Sequence, residues 1–134
     1  MIRILYIEDD EDHAYMLCRR LGRRGYETSR AADGAQGLAL AAELRPDLII
    51  LDLKLPDMDG WAVLEALRQD SATRPIPVIV VSAHVLRGEG EQAVTAGAAA
   101  FVRKPIELPA LLEKIESLTG DTDTVERRSR HDRD

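Results

Sequence analysis

Six residues of this 134-residue chain stand where they could do chemistry together: Glu8, Asp9, Asp10, Asp52, Ser82 and Lys104. Glu8, Asp9 and Asp10 follow the apolar run 2–7, Asp52 follows 48–51, and Ser82 follows 78–81. Lys104, with Pro105 after it, lies just beyond a weaker run at 99–102. Carboxylates brought close together repel at neutral pH and need a neutralising partner. A hard divalent cation serves, and oxygen ligands with retained waters suit Mg²⁺. Asp52 could then act as a nucleophile toward phosphorus and form an acyl phosphate. Lys104 and the cation would offset charge on the phosphoryl oxygens while Ser82 donated a hydrogen bond.

That chemistry requires the ends of the apolar runs to meet. The runs at 2–7, 48–51 and 78–81 are nearly continuous in apolar residues, the pattern of parallel strands buried on both faces. Weaker strand candidates are 26–30 and 99–102, each preceded by a glycine, Gly25 or Gly97, suited to end a helix. Between them lie helical patterns. Ala14, Leu17, Cys18 and Leu21 form one stripe, ending near Gly22 and Gly25. Leu38, Ala41 and Ala42 mark a second helix, stopped before Pro46. A third covers 61–69, and Leu108, Leu111, Leu112, Ile115 and Leu118 make the cleanest stripe. The stretch 89–96 is a poor helix, with Gly88 and Gly90 at its entry, and is expected to be the element that moves most. Five strand–helix pairs in alternation predict a doubly wound α/β fold with five helices, in which ligands collect at the carboxyl ends of the strands.

Composition narrows the class. One domain is expected, with 45% hydrophobic but only 4% aromatic residues, so Leu, Ile, Val and Ala must fill the core. The net charge of −6 argues against a direct nucleic-acid binder. Cys18, the one cysteine, cannot form an intrachain disulfide, and no Cys/His cluster suits zinc. No apolar run approaches the roughly 20 residues of a membrane helix. No signal-peptide pattern opens the chain, so a cytoplasmic location is expected. Residues 119–134 mix acids with arginines and carry little apolar surface, which predicts a disordered tail after a domain at 1–118.

Each residue also has a plainer reading. Glu8, Asp9 and Asp10 could cap the first helix, where carboxylates are favoured. Ser82 alone reads as a turn residue, Lys104 as a solvated lysine, Phe101 as core and Cys18 as packing. Asp52, directly after an apolar strand, is harder to read as structural, because charges are rarely buried without a partner.

Four motifs in order carry a resemblance. They are Ile4-Leu5-Tyr6-Ile7-Glu8-Asp9-Asp10, the stretch from Pro46-Asp47 through Asp52-Leu53-Lys54-Leu55-Pro56-Asp57-Met58-Asp59-Gly60, then Val80-Val81-Ser82-Ala83-His84, and Val102-Arg103-Lys104-Pro105. Over about residues 1–118 the chain resembles the receiver domains of two-component response regulators. The resemblance implies a flavodoxin-like five-stranded parallel sheet in the order 2-1-3-4-5. It implies that Asp52 is the phosphorylation site and that Asp9 is a direct Mg²⁺ ligand with Glu8 acting through water, Asp10 being the weaker candidate. Lys54 would contribute its backbone carbonyl to the metal. Ser82 and Lys104 match the hydroxyl and lysine of the site, Phe101 the switch aromatic, and the Lys104–Pro105 bond one often found cis. Lys54 and His84 would tune the lifetime of the phosphorylated state.

The expected function is that of a stand-alone response regulator, a signalling switch rather than an enzyme. It would take a phosphoryl group from a sensor histidine kinase or phosphotransfer protein and control a downstream protein, as a monomer or a phosphorylation-dependent dimer. Alternatives are a phosphorelay intermediate or the receiver portion of a hybrid kinase. An aspartyl-phosphate phosphatase is a weaker one, since the chain has no residues to spare for a substrate-capping domain. A flavin or nucleotide site would need a glycine-rich phosphate cradle, which is missing.

Overall fold

A computed structural model describes residues 1–83 and 89–120. The five expected strands form as β1 (Arg3–Ile7), β2 (Glu27–Ala31), β3 (Leu48–Asp52), β4 (Val78–Ser82) and β5 (Ala100–Arg103). They alternate with α1 (Glu11–Arg23), α2 (Gly34–Leu44), α3 (Gly60–Gln69), α4 (Glu89–Thr95) and α5 (Leu108–Thr119). All strand pairs are parallel, in the order β2-β1-β3-β4-β5. The flavodoxin-like sheet and its five helices are therefore as expected. The weak stretch at 89–96 does form a helix, while the tail beyond Gly120 and His84 lie outside the described residues.

Alternation along the strands divides the core. Leu5, Ile7, Ile49, Leu51, Val78 and Val80 face one layer with Val63, Leu64 and Leu67 of α3. Ile4, Tyr6, Leu48, Ile50, Ile79 and Val81 face the other, with Leu17 and Leu21 of α1 and Leu111 and Ile115 of α5. β3 and β4 are buried at every position. Each fully buried Leu or Ile contributes roughly 1.5–3 kcal/mol. Strands held this firmly can carry charged residues at their ends against mutual repulsion.

Asp10, Asp33 and Asp59 cap α1, α2 and α3, accepting from the N–H groups of His13, Gln36 and Trp61. α5 begins without a side-chain cap but with Pro109 in its first turn. Gly25 and Gly97 take positive φ after α1 and α4, as expected. One expectation is corrected. The stripe predicted for α2 included Ala42, which is exposed; the buried residues are Gly34, Gly37 and Ala41. A Cβ on Gly37 would stand 2.6 Å from Cδ1 of Ile7, so the helix lies directly on β1 through its smallest residues.

Candidate functional site

The carboxyl end of β1 runs straight into Glu8, which is 1% exposed. Its Oε1 accepts from the Tyr6 hydroxyl at 3.1 Å and from Lys104 Nζ at 2.7 Å, and its Oε2 from the Asp10 N–H at 3.2 Å. Burial raises the Glu8 pKa, and the neighbouring Asp52 carboxylate pushes it the same way. Burial and the Glu8 charge also push the Tyr6 phenol far above its usual value, so it stays a proton donor. Asp9 is exposed. The turn carrying Glu8 and Asp9 is held from β2, where Arg30 donates to both of their carbonyls.

Asp52 ends β3 and is 4% exposed. Its Oδ1 accepts from the Lys54 N–H at 2.9 Å, which fixes the carboxylate toward the strand ends. The loop after it doubles back closely. Gly60 donates its N–H to the Leu53 carbonyl at 3.1 Å, and a Cβ there would stand 2.4 Å from the Leu53 Cα. Only glycine fits that approach without moving the backbone. Asp57, in the same loop, reaches α2 and accepts from the N–H groups of Gly34 and Ala35 at 2.7 and 2.9 Å. Those bonds hold its carboxyl below the usual carboxylate range.

Ser82 ends β4, buried, and its carbonyl accepts from the Lys104 N–H at 2.9 Å. Lys104 follows β5 and precedes a cis bond to Pro105. Its Nζ lies 2.7 Å from Glu8 and 2.8 Å from Asp52, so one ammonium links two buried carboxylates. Burial alone would lower the Lys104 pKa, but the bonds to Asp52 and Glu8 outweigh it and the ammonium is held charged. A largely apolar cleft of about 420 Å³ opens beside it, lined by Tyr6, His13, Met16 and Pro105 among others.

Glu8, Asp9 and Asp52 each offer one carboxylate oxygen, and these atoms lie within 4.8 Å of one another. Three oxygen donors at that spacing, two of them buried, suit a hard cation that keeps some of its waters. The predicted residues thus converge: Glu8, Asp9, Asp52 and Lys104 at one point, with Ser82 at the end of the neighbouring strand. Asp10 stands apart as the α1 cap, the plainer reading offered for the acidic run. Lys54 is exposed and meets Asp52 through its main chain. Phe101 is half-buried against the layer that holds α3. The sequence reading missed Tyr6, Arg30 and Asp57. Their signals, a tyrosine inside an apolar strand and charges near strand ends, gain meaning only with the register known.

Residues 4–116 match the family model described as response regulator receiver domain. The chain is 38% identical over 118 residues to the polar-differentiation response regulator DivK of Brucella anthropi, covering 88% of this chain and 96% of that one. It superposes on a CheY-like receiver domain protein from Methanospirillum hungatei with a TM-score of 0.83 and 30% identity, covering 92% of this chain and 98% of that one. It also superposes on the receiver domain of sensor histidine kinase PA1611 from Pseudomonas aeruginosa, whose structure has a magnesium ion coordinated in the active-site cleft. There the TM-score is 0.82 at 28% identity, over 90% of this chain and 98% of that one.

Proposed function

Because the chain belongs to the response regulator receiver domain family, we propose that it is a switch set by phosphorylation of Asp52, with a sensor histidine kinase or phosphotransfer protein as donor. The observation that carries this reading is the junction of Glu8, Asp52 and Lys104, three charged groups gathered where strands β1, β3 and β5 end. In the transfer, an Asp52 carboxylate oxygen bonds to phosphorus as the P–N bond to the donor histidine breaks. The imidazole nitrogen leaves with the electron pair. Lys104 already lies against Oδ2 of Asp52 and can pair with the phosphoryl oxygens carried there. The Lys54 N–H holds Oδ1, so the nucleophile needs little reorientation.

Glu8, Asp9 and Asp52, with the Lys54 carbonyl, would hold Mg²⁺, Glu8 acting through water. When bound, the ion supplies charge neutralisation for carboxylates and phosphoryl oxygens. Ser82 hydrogen-bonds the phosphoryl group, and Phe101 turns inward as Ser82 moves. That shift biases two states of the β4–α4 region and the face beside α5, where a downstream protein binds one state more tightly. The chain acts in the cytoplasm through protein contacts, as a monomer or phosphorylation-dependent dimer, and not as an enzyme on a separate substrate. The receiver unit runs through α5, which ends at Thr119, and the charged segment follows it. Among the described residues no helix is long and apolar enough to cross a membrane.

The test is incubation with phosphoramidate, a small P–N donor, with and without Mg²⁺. Intact-mass spectrometry should show one added phosphoryl group only with the ion present. Equal labelling in its absence would overturn the Mg²⁺-dependent reading.

A further inference from the structure

Arg30 lies beside Tyr6 in the β1–β2 register, and its side chain reaches past the strand end. Nε donates to the Glu8 carbonyl at 3.0 Å and Nη2 to the Asp9 carbonyl at 2.9 Å. Two donors of one rigid planar fork, bonded to successive carbonyls, fix the two peptide planes that flank Asp9. Between those planes the Asp9 side chain leaves the backbone, and one of its carboxylate oxygens lies within 4.8 Å of one from Glu8 and one from Asp52. Both bonds end on carbonyl oxygens, so the guanidinium shapes the turn while the carboxylates remain available as ligands. We infer that Arg30 is a positioning residue of the metal pocket, setting both its affinity for Mg²⁺ and its preference for Mg²⁺ over Ca²⁺. This rests on reading Glu8, Asp9 and Asp52 as a Mg²⁺ site.

The two ions respond differently to a loosened turn. Mg²⁺ demands near-ideal octahedral geometry at short distances, whereas Ca²⁺ accepts longer and more variable coordination. Charge alone predicts the opposite of the clamp. A guanidinium near the pocket repels cations, so its removal would tighten Mg²⁺ binding if only Coulomb forces counted. Loss of affinity on removing a positive charge is therefore a readout specific to positioning.

The experiment is calorimetric titration of wild type, Arg30→Gln and Arg30→Lys with MgCl₂ and with CaCl₂, alongside urea unfolding of each. Arg30→Gln should weaken Mg²⁺ binding about tenfold, the usual effect of losing an outer partner of a metal ligand, and Ca²⁺ binding less. Arg30→Lys keeps the charge and the apolar stem but cannot span both carbonyls, so it should share most of that loss. Should Arg30→Gln fail to fold, Arg30→Lys carries the test alone. Unchanged or tighter Mg²⁺ binding in Arg30→Gln would overturn the inference, as would equal losses for both ions or full rescue by Arg30→Lys. A wild-type chain that binds no Mg²⁺ would overturn the parent reading and this inference with it. Wild-type binding with unaffected variants would overturn this inference alone.

Discussion

Lys104 Nζ lies 2.8 Å from Asp52 Oδ2, a bond from the residue just after β5 to the last residue of β3, strands separated in the sheet by β4. The same ammonium holds Glu8 at 2.7 Å, so the charges of three strand ends meet in one buried junction. The arrangement is strained electrostatically, because two carboxylates share one cation.

Replacing Lys104 with Met should leave Glu8 and Asp52 facing each other unpaired. Breaking a buried ion pair by removing one partner costs about 3 kcal/mol. Urea unfolding at neutral pH should show such a loss, partly restored by Mg²⁺ or by mild acid, which relieve the same repulsion. A variant as stable as wild type in metal-free buffer would mean that Lys104 does not neutralise the pair.

Glu8 has a raised folded pKa, caused first by burial and then by Asp52. The folded chain therefore binds this proton at pH values where the unfolded chain has released it. Its contribution to stability falls as pH rises from the ordinary value of 4.5 through the folded pKa. Glu8→Gln should remove that dependence and raise stability at pH 7 relative to wild type. Parallel stability–pH curves for the two proteins would contradict the assignment.

Asp57 has the opposite sign. Its folded pKa is lowered by the Gly34 and Ala35 N–H groups, so its contribution is present above the ordinary value of 3.8 and is lost as pH falls through the folded pKa. Asp57→Ala should be less stable than wild type at pH 7, with the gap closing in acid. A gap constant with pH would show that the carboxylate charge is not what matters.

Gly60→Ala places a methyl group 2.4 Å from the Leu53 Cα and must shift the chain just after Asp52. A loss of about 1–3 kcal/mol is expected, together with slower phosphorylation. Gly22→Ala, inside α1 with nothing within 4 Å of the new Cβ, should instead gain roughly 0.5–1 kcal/mol. Thermal unfolding of the pair checks both signs.

Much of this was legible from residues alone. β3 and β4 read as strands because burial on both faces leaves no polar position, and Asp52 and Ser82 stood out as the polar residues ending those runs. Other features depend on partners distant in sequence. Arg30 acquires a role only when β2 pairs with β1 and sets it beside the turn at Glu8 and Asp9. Asp57 finds α2 across a loop that no periodicity describes. On α2 the spacing of the larger residues predicts a stripe that includes Ala42, whereas the contact with Ile7 is made through Gly37, whose lack of a side chain permits it.

The most direct measurement locates the phosphoryl group. Wild type and Asp52→Asn are incubated with Mg²⁺ and a small acyl phosphate, and peptide mass spectrometry assigns the modified residue. Phosphorylation at Asp52 predicts a single phosphoryl group there in wild type and none in the variant. Label at another residue, or equal label in Asp52→Asn, would contradict it.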